Sequence, residues 1–554
     1  MSAVPHSTSA AGQITGAQAV IAALLRYGIN SGYGIPSIHN IPLYEAMRQT
    51  PEFHHWVVRH EQAAGFAADG YYRRSGRIAA IFASTGPGNL FTAVPLLESL
   101  QTGTPVLLIG TNIASPLLAQ SGGALHETPQ QLEIIRPLTR YARRVNNPAE
   151  MVDAVRQAAE MLHGPMPGPA FIEIPHDFFH AVVSVNLAGT AAKADQPLPE
   201  LGNVRQQILA SRKPLILVGA GARPAAKAVR KLAEALQCPV FSTTSGKGIF
   251  PADHPLSLGC ISRQGVVQQV FSESDLMVSF GARLIEFDMG QFRLKLPPQH
   301  IQVVQDDQYA GDRFPSTRVV GDISAIAETL TTGTAARPWC DIAAINALEE
   351  KRLEALGQES YTALKALRAA MRRDDVLVND QSILNYWASA FFPALEPGTF
   401  LYPLGSGTLG YGLPAAIGAA CAIQQAGETR RVVCIAGDGG FQYTQHELAT
   451  LAQYALPVKI LLVNDESYGI IAFLQRAMFG QTHEITLKNP DFCRVAEAYG
   501  IRAEHVAGID RLRQRLPDWL EAPGPALLEW RTVLNAPWAT GAIPRPASPP
   551  QKDS

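Results

Sequence analysis

No apolar run in this sequence approaches the length of a bilayer span, so nothing in it predicts a membrane helix. The opening residues, MSAVPHSTSAAGQITG, lack the basic stretch and apolar core of a secretory signal. Cysteine is scarce. The six (Cys238, Cys260, Cys340, Cys421, Cys434, Cys493) are scattered, and no C-x-x-C pair occurs. That argues against a disulfide framework and against a zinc site, and several of the six fall inside apolar runs, as buried thiols do. Excess charge is missing too. The formal net charge is −2, so no polycationic surface is available for nucleic acid. These absences predict a soluble cytoplasmic protein with no nucleic-acid or membrane partner.

What is present is length and pattern. At 554 residues and 47% hydrophobic content, the chain exceeds what one core can organise. Short apolar runs alternate with helical spacings, the pattern of parallel α/β sheets flanked by helices. IAAIFAST, PVLLIGT and PAFIEIP read as strands in the first third, and GAQAVIAALLRYG as a helix stopping at Gly28. KPLILVG, LMVSFGARL and IQVVQDD follow in the second third. TFLYPLG, VVCIAGDGG, KILLVND and PALLEW complete the last. Polar, Pro-containing breaks near 188–200 and 331–340 read as linkers, and the terminal PRPASPPQKDS reads as disordered. The expectation is three α/β domains, at 13–187, 200–332 and 345–537.

The glycine turns differ in what they say. GAGARPA at 219–225 resembles a dinucleotide turn without matching G-x-G-x-x-G, and any doubly wound sheet can contain such a turn. STGPGNL at 84–90 follows a strand and leaves tight turn and close ligand approach equally open. AGDGG is more informative. Gly437, Gly439 and Gly440 flank Asp438 where the strand VVCIA ends, and the next strand, KILLVN, ends in Asp465. A β-α-β unit brings both strand ends to one edge. Backbone N–H groups there suit a phosphate, whereas a carboxylate repels one unless a cation lies between them. Mg²⁺ commonly bridges protein carboxylates to phosphate oxygens, so the pair reads as a Mg²⁺ site for a diphosphate. The alternative is two acids capping helices.

GDG followed by Asn464-Asp465 resembles the cofactor motif of thiamine diphosphate (ThDP) enzymes of the acetolactate synthase and benzoylformate decarboxylase family. VVRHEQAAGFAADGYYR, STGPGN and GTLGYGLPAAIGAA resemble that family's other motifs in the same order. The resemblance implies pyrimidine-binding, central and diphosphate-binding domains. It implies that Glu61 contacts N1′ of the aminopyrimidine, that the Gly407 carbonyl accepts from the 4′-amino group, and that Leu409 bends the cofactor. Asp438, Asp465 and the Ser467 carbonyl would ligate Mg²⁺, with Asp465 standing where many relatives have Asn. Gly439, Gly440, Gln381, Ser382 and Tyr468 would line the diphosphate.

The implied reaction is non-oxidative decarboxylation of a small-molecule 2-oxo acid to an aldehyde. An acetolactate-synthase-like carboligase and a non-catalytic homologue are the alternatives. GALHETPQQ and GDGGFQYTQHEL resemble the 5-guanidino-2-oxopentanoate decarboxylase group. Glu127 is then a candidate partner for a guanidinium, against a solvated loop acid. His126, with His39 and His446, is a candidate proton donor, against a packed or surface histidine. Ile470 and Ile471 lie where decarboxylase relatives often carry Glu. The family places its cofactor between subunits, which implies a homodimer or homotetramer.

Overall fold

A computed structural model describes residues 13–118, 122–187 and 196–544. Most of the linker expected at 188–200 and nearly all of PRPASPPQKDS lie outside the described residues. The chain divides into two compact units, 1–194 and 195–554. Three six-stranded sheets dominate them, one in the first unit and two in the second.

In the first unit the strand order is His54–Val57, Ser31–Gly34, Ala80–Ala83, Leu107–Asn112, Ala170–Pro175, Tyr141–Arg144, and every pairing is parallel. The central runs AIFA, LLIGTN and AFIEIP are buried at every position, as strands covered on both faces must be. The helix Gly16–Arg26 begins in a capping box between Thr15 and Gln18, and the chain turns at Gly28 with φ +80. The helix Glu61–Ser75 begins where His60 Nδ1 accepts the N–H of Gln62 at 3.1 Å, and it stops at left-handed Gly76.

The last sheet, in the second unit, repeats this connectivity. Its order is Phe400–Leu401, Val376–Asn379, Val432–Gly437, Val458–Asn464, Ala526–Arg531, Arg502–Ala507, again all parallel. In both sheets the chain leaves one strand, runs to the edge beside it, and returns to the opposite side. A crevice therefore opens at the carboxyl ends of two neighbouring strands, the usual ligand position in an open α/β sheet. In the first unit those strands are Ser31–Gly34 and Ala80–Ala83. In the second they are Val376–Asn379 and Val432–Gly437.

The remaining sheet is ordered Ser257–Cys260, Val240–Ser242, Pro214–Val218, Leu276–Phe280, Gln299–Val304, Thr317–Val320. Here the GAGARPA glycines have a packing explanation. Gly219 N–H donates to Phe280 O at 2.9 Å and Gly221 N–H to Gly281 O at 3.1 Å, and a side chain at Gly219 would overlap Gly281. These glycines let two turns at the sheet's own crevice press together. Cys238, Cys260, Cys421 and Cys434 are buried. Among the described residues no helix is long and apolar enough to cross a membrane.

Candidate active site

Asp438 opens the short helix Asp438–Gln442 directly after Val432–Gly437, and Asp465 follows the adjacent parallel strand Val458–Asn464. The sheet thus brings to one edge two carboxylates that are 27 residues apart in the chain. Burial raises the Asp438 carboxyl above the ordinary carboxylate range. Burial and then the charge of Asp438 push Asp465 up to about 7. Two desolvated acids that resist ionising together form a donor set that a hard divalent cation would relieve. Among the described residues no group of three or more His, Cys, Asp or Glu is arranged to hold a metal, so a cation here needs backbone oxygen as well. Ser467 lies in the turn that follows, which is pinned by Tyr468 N–H to Ile485 O at 2.9 Å and Leu487 N–H to Glu466 O at 2.8 Å.

The glycines beside Asp438 are required by what approaches them. A Cβ at Gly439 would lie 2.7 Å from Cε1 of Tyr468, and one at Gly440 would lie 2.8 Å from Oδ1 of Asp380. Gln381 and Ser382 leave the neighbouring strand Val376–Asn379, with Ser382 capping the helix Ile383–Phe391. Gly407 has φ +63, and the nearest atom to a Cβ built there is Gln381 Nε2 at 3.9 Å. Gln381, Ser382, Gly407, Leu409, the GDGG turn and Tyr468 therefore belong to one rim around the crevice of the last sheet.

Two residues behind this rim escaped the sequence reading. Asn489 Nδ2 donates to Asp438 Oδ2 at 2.6 Å and to Asn464 Oδ1 at 2.9 Å, while its Oδ1 accepts from Gln442 Nε2 at 2.9 Å. Asp380 is fully buried and, among the described residues, accepts from the backbone N–H groups of Gln381 at 2.7 Å, Gly410 at 3.1 Å and Gly412 at 2.9 Å. Burial pushes its carboxyl up to about 6.

The crevice of the first unit gathers a second set. Glu61 is the first residue of its helix, and its Oε1 lies 3.2 Å from where a Cβ on Gly88 would stand. STGPGN is thus a close-approach turn with a carboxylate over it. Gly86 N–H donates to Gln131 Oε1 at 2.7 Å, and Gln131 Nε2 donates to Thr111 O at 3.1 Å and to buried Glu173 at 2.8 Å. Glu173 also pairs with Arg144.

Histidines converge beside this turn. The buried His39 ring lies 5.3 Å from that of His126 and 5.1 Å from that of His176, with Ser84 Oγ 3.5 Å from His39 Nδ1. Burial, then His176 and His126, lower the basicity of His39. His176, just past Ala170–Pro175, was not singled out by sequence; IPHDF carries no spacing that links it to His39. His446 belongs to the second unit, where its Nε2 lies 3.7 Å from buried Glu447. Glu127 Oε2 accepts N–H groups of its own loop, from Gly123 at 2.9 Å and Ala124 at 3.0 Å.

Comparison with known proteins matches these regions to three family models. They are the thiamine pyrophosphate enzyme N-terminal TPP binding domain over 14–134, the central domain over 201–330 and the C-terminal TPP binding domain over 380–530. A Pseudomonas aeruginosa protein named probable 2-ketoarginine decarboxylase AruI is 31% identical, covering 94% of each chain. The acetolactate synthase isozyme 2 large subunit of Escherichia coli is 29% identical over 93% of this chain and 95% of its own. A protein of Mycobacterium smegmatis, described as thiamin diphosphate-dependent, shares the fold. Its X-ray structure gives a TM-score of 0.78 at 22% identity, covering 94% of this chain and all of that one. With both cofactor-binding domains and the central domain matched in order, this chain belongs to the thiamine diphosphate-dependent enzyme family.

Proposed function

We propose that this protein uses ThDP and Mg²⁺ to convert a 2-oxo acid to CO₂ and an aldehyde without oxidation. The observation that carries the reading is the matched pair of crevices, one holding Glu61 over a glycine turn, the other holding two coupled carboxylates beside GDGG. Relatives named for a 2-oxo acid decarboxylase and for acetolactate synthases support the substrate class.

When bound, the cofactor supplies a carbanion nucleophile and a sink for the electrons left by departing CO₂. The chain's residues do the rest. Asp438, Asp465 and the Ser467 carbonyl would hold the cation, and Gly439, Gly440, Gln381, Ser382 and Tyr468 would hold the diphosphate. Glu61 would face N1′ of the pyrimidine, where proton exchange with the cofactor takes place. The Gly407 carbonyl would accept from the 4′-amino group, and Leu409 would press against the cofactor as a wedge. His126, backed by His39 and His176, delivers the proton that takes the place of CO₂ on the product carbon. Glu127, fixed by its own loop, is offered to a cationic side chain on the substrate. Glu61 and the carboxylate pair stand in different compact units, and a homodimer or homotetramer completes each site from two protomers.

The similarity to acetolactate synthases favours one second reading, in which a second carbonyl compound traps the same carbon and gives a hydroxy-ketone. Mass analysis of products from a panel of 2-oxo acids separates the two. Aldehyde with one equivalent of CO₂ supports the decarboxylase, and a coupled hydroxy-ketone replaces it with the carboligase.

A further inference from the structure

We infer that Asp380 is a positioning residue that holds the Leu409 turn against the GDGG turn, so that Leu409 acts only as far as Asp380 braces it. This rests on the ThDP reading of the site. Asp380 follows the strand Val376–Asn379, one of the two strands that open the crevice of the last sheet. Its Oδ1 accepts from Gln381 N–H at 2.7 Å and Gly410 N–H at 3.1 Å, and its Oδ2 accepts from Gly412 N–H at 2.9 Å. Two of the three donors bracket the residues just after Leu409. The far side of the same turn is held by Thr444 Oγ1, which donates to Gly410 O at 3.2 Å, and Thr444 lies just beyond the GDGG turn. The carboxylate also fits closely between the turns. A Cβ at Gly440 would stand 2.8 Å from its Oδ1, and one at Gly412 would stand 3.0 Å from its Cβ and 3.1 Å from Cys434 Sγ.

A buried carboxylate is costly to place, and among the described residues the groups that donate to this one are backbone N–H groups. Asn cannot replace it without loss. The amide keeps one acceptor oxygen but turns an N–H₂ toward a backbone N–H, donor against donor. The geometry therefore calls for Asp at this position for its two acceptor oxygens.

The test is a double-mutant cycle of Asp380→Asn and Leu409→Ala, read both as ThDP affinity by calorimetry and as kcat and KM. In the native background D380N weakens ThDP binding and lowers kcat by about tenfold each, the effect of losing a hydrogen bond to a charged acceptor, with KM nearly unchanged. In the L409A background the same substitution changes either quantity by less than about threefold, because the group being positioned is already gone. Losses that multiply in full overturn the inference, as does a D380N protein with native affinity and kcat. If D380N does not fold, Gly412→Ala approaches the contact from the other side, keeps the carboxylate, and should show the same dependence on Leu409. The affinity cycle needs no substrate. A protein that binds ThDP but turns over no 2-oxo acid would refute the proposed function while still deciding the role of Asp380.

Discussion

Asn489 joins the ends of two neighbouring strands, giving one amide hydrogen to Asp438 at 2.6 Å and the other to Asn464 at 2.9 Å. The Asp438 carboxylate is thereby oriented by a residue far along the chain, in the manner of an outer-shell partner to a metal ligand. Asn489→Leu should lower Mg²⁺ affinity about tenfold, measured by titrating the ion into ThDP-loaded protein. Native affinity in this variant would remove Asn489 from the site.

Gly439 should tolerate no side chain. A Cβ there meets the Tyr468 ring at 2.7 Å, so Gly439→Ala must displace the ring, the turn or both. ThDP affinity is expected to fall about tenfold, corresponding to overpacking of about 1–2 kcal/mol. Native ThDP affinity in Gly439→Ala would contradict the close approach of the Tyr468 ring to this turn.

The histidine cluster predicts a division of labour. His126→Ala should reduce product formation about a hundredfold, the lower range for removing a general acid, and His176→Ala should reduce it less. The His126 and His176 rings lie 5.3 and 5.1 Å from that of His39, and His39 is shielded while His126 is exposed. Activity within twofold of native in both variants would leave the cluster as packing.

Stability should fall on the acid side. Burial pushes His55 and His300 each down to about 4, below the ordinary histidine value of 6.5. The unfolded chain therefore binds these protons first. Their contribution is fully present above pH 6.5 and is lost as pH falls toward 4. At pH 5.5 each should remove about 1 kcal/mol relative to pH 7.5. Asp380, pushed up to about 6, works in the opposite direction, stabilising the fold more as pH drops from 6 toward 4. His55→Gln should flatten the dependence of Tm on pH between 5.5 and 7.5, and an unchanged slope would contradict the assignment.

Much of the fold was legible because buried parallel strands are continuous apolar runs. IAAIFA, VVCIAG and KILLVN could be placed from sequence, and the spacing of Asp438 and Asp465 then followed from adjacent strands. Residues whose partners are remote were not legible. Asp380 in NDQSIL reads as an ordinary acid ahead of a helix, although two of its three partners, Gly410 and Gly412, lie 30 and 32 residues on. Asn489 sits in a loop with no motif, and His176 meets His39 only because two strand ends share an edge. GAGARPA, which does not match G-x-G-x-x-G, has glycines that serve turn-to-turn packing.

The most direct test is CO₂ release from a panel of aliphatic, aromatic and guanidino 2-oxo acids with ThDP and Mg²⁺, comparing the native protein with Glu61→Ala. The account predicts release with at least one acid, aldehyde as product, and loss of release in the Glu61→Ala protein while its fold is retained. A native protein that binds ThDP and Mg²⁺ yet releases CO₂ from none of them would contradict it.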